Sequence, residues 1–148
     1  MDLKQLAKEY LDNIKHMQLA TVDGGKPWIC TVYFVADDDM SLYWTSGRDR
    51  QHSKEILADP KAAVTIVKDA DKKQALQMSG EAHEVLDADL DKVHKLYQSK
   101  FGHKDYDLDE MRKHQPEGRS YWFFIPSIVL FWDEVNFPNS PKQEYPLT

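Results

Sequence analysis

Turns constrain this chain more than any other feature. Short runs rich in β-branched and aromatic residues are cut apart by Asp23-Gly24-Gly25-Lys26, by Asp37-Asp38-Asp39 and by a polar stretch at 69–73. Adjacent glycines supply the positive φ of a two-residue hairpin, so the runs at 17–22 and 28–36 are expected to pair antiparallel. The run at 41–45 then pairs back after the aspartate turn. Strands at 62–67 and 75–86 follow, the second with a bulge or bend at Gly80. Residues 121–125 and 128–132 form two last strands around Pro126. Six or seven closely spaced antiparallel strands favour a small barrel, which removes exposed sheet edges. The fold class is mainly β with inserted helices.

Three helices interrupt the strands. Leu3, Leu6, Ala7, Tyr10, Leu11 and Ile14 share one face, and Asp2 is placed to cap it. A helix beginning near Arg50 has to stop before Pro60. A third, capped by Asp87, carries Leu90, Val93, Tyr97 and Phe101 on one face and ends at Gly102. Residues 104–115 are polar and suit a short helix or a lid. No linker separates two cores, so 1–148 reads as one domain: an N-terminal helix (1–16), a barrel with inserted helices (17–133) and a proline-rich tail (134–148) expected to trail over the surface.

The net charge of −6 argues against a nucleic-acid partner held by a broad basic face. One cysteine, Cys30, rules out an intramolecular disulfide framework and suits a reducing compartment. The N-terminus lacks a secretory pattern, and no apolar run approaches the roughly 20 residues that span a bilayer. These features set the expectation of a cytoplasmic protein without a membrane partner.

Against this acidic background the run from Leu42 to Leu57 stands out. An aromatic strand passes through Thr45, Ser46 and Gly47 into a helix whose first turns carry Arg50, His52 and Lys54. Cations at a helix N-terminus oppose the helix dipole unless an anion sits among them. The pattern therefore suits a phosphate grip, although such a basic run is more often a solvated helix face. It is neither a Walker loop nor a dinucleotide fingerprint. The strand at 28–36 alternates Trp28, Cys30, Val32 and Phe34 against Ile29, Thr31 and Tyr33. Both faces are apolar, which is expected of a strand covered on both sides, by protein or by a planar ligand. Trp28, Trp44, Trp122 and Trp132 suit a core, a subunit interface or a stacked ring. The histidines lack metal-ligand spacing, so no metal site is expected. Cys30 reads as a small buried residue.

Three segments together resemble the pyridoxamine 5′-phosphate oxidase-like flavin proteins, in particular their small bacterial general-stress branch. They are Gln18-Leu19-Ala20-Thr21-Val22-Asp23-Gly24-Gly25-Lys26-Pro27, then Leu42-Tyr43-Trp44-Thr45-Ser46 with His52-Ser53-Lys54-Glu55-Ile56 and Asp59-Pro60, and finally Ile125-Pro126-Ser127-Ile128-Val129-Leu130-Phe131-Trp132. The resemblance implies a split β-barrel of the FMN-binding type, a homodimer with FMN at the subunit interface, and a small-molecule substrate. It places the flavin ring along Cys30, Thr31, Val32 and Tyr33, with Trp44, Thr45 and Ser46 at the neighbouring strand end. The phosphate falls to Arg50, Gln51, His52, Ser53 and Lys54, and Trp132 reaches a flavin from the other subunit.

The chain departs from the oxidases at three points. Gln51 and His52 stand where they carry a consecutive Arg-Lys pair. Ile29 and Cys30 occupy the place of a basic residue on the flavin strand. Glu134-Val135-Asn136 replaces their arginine- and histidine-bearing run after the tryptophan. Oxidation of pyridoxamine phosphate is therefore not expected. An FMN-dependent oxidoreductase of another small molecule remains, beside a non-catalytic flavin-binding stress module and a barrel holding a deazaflavin or haem.

Overall fold

The computed structural model describes residues 2–147. In chain order the elements are α1 (Leu3–Asn13), β1 (His16–Asp23), β2 (Lys26–Tyr33), β3 (Val35–Ala36), β4 (Leu42–Gly47), α2 (Gln51–Ala58), β5 (Lys61–Asp69), β6 (Gln74–Glu84), α3 (Leu90–Phe101), α4 (Leu108–Met111), β7 (Arg119–Asp133) and β8 (Lys142–Glu144). The strands form one antiparallel path, β2-β1-β5-β6-β7-β4-β3, with β8 added on β7. The two ends of this path, β2 and β3, are separated in sequence only by Phe34. Consecutive Cα atoms lie about 3.8 Å apart, so the sheet has to curl until its ends meet at that residue. The result is a curled, split half-barrel of seven strands.

Local chemistry sets most boundaries. Gly24 and Gly25 have φ of 56° and 82°, and Asp23 faces Lys26 across the turn, as a type I′ hairpin requires. Asp2 accepts a hydrogen bond from the Lys4 backbone N–H at 2.9 Å and caps α1. α2 stops at Ala58, two residues before Pro60, and α3 ends at Gly102, whose φ is 80°. At Gly80 the β6–β7 register shifts, and a side chain there would collide with the Ile125 carbonyl oxygen. Only glycine permits that approach.

Several sequence expectations change. β7 runs unbroken for 15 residues through Pro126, which lies opposite Gly80 beside a bulge whose extra residue is Ser127. The strand expected at 28–36 breaks at Phe34, which is fully buried while its backbone N–H donates to the Lys15 carbonyl. β2 is not covered on both faces within the chain, since Ile29 and Tyr33 are 61% and 57% exposed. A 3₁₀ turn at Asp87–Asp89 precedes α3, which starts after Asp89. The C-terminal segment does more than trail, because β8 pairs with Leu130–Trp132.

The main core gathers Leu6, Tyr10, Leu19, Trp44, Trp122, Phe124 and Phe131 inside the curl. Side chains of this kind each contribute roughly 1.5–3 kcal/mol by leaving water. Asp133, at the end of β7, is fully buried and accepts from the Tyr10 hydroxyl at 2.8 Å, from Gln74 and from the Asn136 backbone and amide. Burial alone would raise its carboxyl, but these donors hold it below the ordinary value. This network ties α1 to the end of the barrel. A second cluster, of Val35, Val85, Leu90, Val93, Tyr97, Met111 and Tyr121, lies under α3.

Candidate functional site

Past Phe34, β2 and β4 diverge, and the fork between them holds a cavity of about 350 Å3. Strand alternation turns Thr31 and Tyr33 of β2 and Thr45 of β4 towards it. Tyr97 comes from α3, Tyr106 from the segment after Gly102, Arg119 from the start of β7 and His16 from the start of β1; Val32 completes the wall. Arg119 Nη1 donates to Thr45 Oγ1 at 3.3 Å, and the guanidinium carbon lies 4.8 Å from the Tyr106 ring centroid. Behind this wall the Tyr97 ring packs 4.7 Å from Phe101 and 5.7 Å from Tyr121. Burial first, then the Tyr106 phenol, pushes the Tyr97 hydroxyl up to about 12, so it stays a neutral donor at ordinary pH. The walls carry tyrosines, threonines, a histidine and an arginine, and no carboxylate.

The start of α2 forms a separate group on the other face of β4. Thr45 turns to the cavity, whereas Ser46 turns inward and shares a 2.9 Å hydrogen bond with His52 Nε2. His52 is 8% exposed; burial, then the charge of Arg50, lowers its basicity and favours the neutral ring. Gln51 donates to Glu55, and Thr21 donates to the other oxygen of the same buried carboxylate at 3.0 Å. Cys30 packs against the core, and burial followed by Glu55 raises its thiol to about 11, which leaves it unreactive. Ser53 is fully buried with its Oγ unpartnered, as is Trp44 Nε1. Arg50 and Lys54 are exposed. Trp132 is half-buried, pairs with Ala75 and Lys142, and does not line the cavity. Of the residues expected from sequence, Thr31, Val32, Tyr33 and Thr45 therefore converge on one cavity. Ser46, Gln51, His52 and Ser53 gather at the helix start, and Cys30 and Trp44 face the core.

Sequence reading missed Arg48. Its side chain is 7% exposed, pairs with Glu84 at 2.5 Å, and donates to the Met111 and Gln115 carbonyls at 3.0 and 3.3 Å. It also meets His114 Nδ1 at 3.1 Å, and His114 in turn contacts Asp87. Arg48 thereby fastens the segment that carries Tyr106 to the end of β4. Its place in a basic run was visible; its partners, 36 to 67 residues away, were not.

A larger cleft of about 660 Å3 lies between α1, α3 and the turn before β4. It mixes Lys4, Lys8 and Lys100 with Asp2, Asp12, Asp37 and Asp38. Lys100 is spent on structure, donating to the Leu11 and Ile14 carbonyls at 2.8 and 2.5 Å at the C-terminus of α1. No cluster of three metal-ligating side chains occurs among the described residues, and none of their helices is long and apolar enough to cross a membrane.

The family model for pyridoxamine 5′-phosphate oxidase matches residues 3–132. The chain belongs to that family. No curated protein sequence matches it. Among solved structures, this family member is similar to a provisional pyridoxamine 5′-phosphate oxidase from Listeria innocua, with a TM-score of 0.70 and 18% identity over 88% of this chain and 98% of the other. It is similar to HutZ, the haem storage protein of Vibrio cholerae, with a TM-score of 0.67 and 21% identity over 86% and 92%. General Stress Protein 26 of Bacillus anthracis gives 0.64 and 17% over 88% and 94%. At these identities the structural likeness shows the fold.

Proposed function

We propose that this family member binds FMN and serves as an oxidoreductase of a small molecule other than pyridoxamine phosphate. The observation that carries this reading is the convergence of Thr31–Tyr33 and Thr45, expected from separate segments, on one aromatic-walled cavity. A volume of about 350 Å3 is at the small end for ligand sites and suits a planar ring system. Thr31 and Thr45 offer hydroxyls to such a ring, and Tyr97 and Tyr106 offer flat apolar surface. The first turn of α2, with the unpartnered Ser53 hydroxyl and the exposed Arg50 and Lys54, suits a phosphate, which a flavin seated in the cavity would have to carry round the end of β4. A bound flavin would supply hydride chemistry, and the chain would supply orientation and exclusion of water. The exposed apolar residues of β2 are consistent with cover by a second copy of the chain, which would also bring a second Trp132.

Purification without added cofactor, followed by an absorption spectrum and an FMN titration read by melting temperature, tests the proposal. Flavin bands or an FMN-dependent rise in Tm are expected. A colourless protein whose Tm ignores FMN overturns it. Haem is the second reading, because His16 is the one histidine on the cavity wall. A Soret band in place of flavin bands selects it.

A further inference from the structure

We propose that Arg119 is an anion-recognition residue and that the cavity in the fork takes a planar aromatic carboxylate, its ring between the tyrosines and its carboxylate on the guanidinium. The inference rests on reading this cavity as the ligand site, and it concerns the flavin-free protein, since a flavin ring would occupy the same walls.

The chain carries 25 acidic against 19 basic side chains, so an arginine without a carboxylate is the less expected outcome. Arg48 and Arg112 are ion-paired, whereas Arg50, on the surface at the start of α2, makes no salt bridge among the described residues. Arg119 makes no salt bridge among the described residues; one N–H goes to Thr45 Oγ1, and its plane rests against Tyr106. A guanidinium has five N–H donors in a rigid fork that matches a carboxylate, and most of these are left for a ligand. Contact with an aromatic ring and a hydroxyl fixes the fork before the ligand arrives, which reduces the ordering that binding requires. Among the described residues no carboxylate lines the cavity to oppose an incoming anion. Tyr33, Tyr97 and Tyr106 wall it with rings, a shape that selects a flat ligand. A single arginine suits one negative charge better than a doubly charged phosphate.

Benzoate and its neutral analogue benzamide test this, each titrated by NMR into the full-length FMN-free protein, with FMN then added as a competitor. Benzoate is expected to shift the Thr31 and Thr45 signals and to bind about tenfold or more tightly than benzamide. Arg119→Gln should abolish that preference and Arg119→Lys should restore part of it. Thr45→Val, which keeps the charge and frees the fork, should weaken benzoate less than Arg119→Gln. Equal affinity for the two probes, absence of benzoate binding, or a preference that survives Arg119→Gln overturns the proposal. A benzoate preference in a protein that ignores FMN removes the cofactor reading alone. FMN binding by a protein that shows no benzoate preference when FMN-free removes this one alone.

Discussion

Arg48 and Arg119 are neighbours across two strands: Gly47 pairs with Arg119, and the Arg48 backbone N–H donates to the Gly118 carbonyl at 2.9 Å. Their fates are opposite. Arg48 sinks beneath the segment before β7, where Glu84, two carbonyls and a histidine use up its donors. Arg119 stays exposed, steadied by one threonine and one tyrosine ring. The same side chain is a fastener in one place and an open receptor in the other. What separates them is the supply of acceptors, which three-dimensional packing decides.

The largest effect that sharpens this contrast is at the fastener. Arg48→Ala leaves the Glu84 carboxylate without its partner and should lower stability by about 3–5 kcal/mol in urea unfolding. Protease sensitivity between residues 102 and 118 should rise with it. Arg48→Lys keeps the charge but loses the planar fork, and should fall between wild type and alanine, at about 1–3 kcal/mol. If lysine matches arginine, the carbonyl contacts contribute little and the contrast weakens.

His52, between the two regions, gives a smaller and pH-dependent effect. Its folded basicity lies below the ordinary value of 6.5, so the unfolded chain takes up the proton first as pH falls. Stability should decline on acidification from about pH 6.5, and His52→Gln should flatten that part of the profile. An identical slope in the variant would show that the histidine is not held neutral. The smallest effect belongs to the receptor. Arg119→Gln should change stability by no more than about 0.5 kcal/mol. A loss comparable with that of Arg48→Ala would mean that both arginines serve the fold.

The sequence made legible what neighbouring residues decide among themselves. The Gly24-Gly25 hairpin, the Asp2 cap, the end of α2 before Pro60, the bend at Gly80 and the stop at Gly102 all follow from backbone chemistry within a few residues. The break at Phe34 was hidden, because a run of β-branched and aromatic residues carries no mark of the point where it changes partners. β7 was divided too early, because a proline inside a strand argues for an end unless a bulge beside it is foreseen. Half of the ring site, Thr31 to Tyr33 and Thr45, came from alternation and resemblance. Tyr97, Tyr106 and Arg119 came only from the fold, since nothing in a lone tyrosine or arginine says that it will face a strand some 60 to 90 residues away in sequence.

Phe34 gives the molecule a mechanical property. With its two outer strands joined through one buried residue, the barrel behaves as a clasp whose pivot is covalent. The rims of the fork cannot drift apart near the pivot by side-chain repacking alone, because the backbone holds them there. Compliance grows with distance along β2 and β4. A ligand seated close to the pivot meets a stiff socket, so differences in ligand size should be penalised sharply there and tolerated towards the open end.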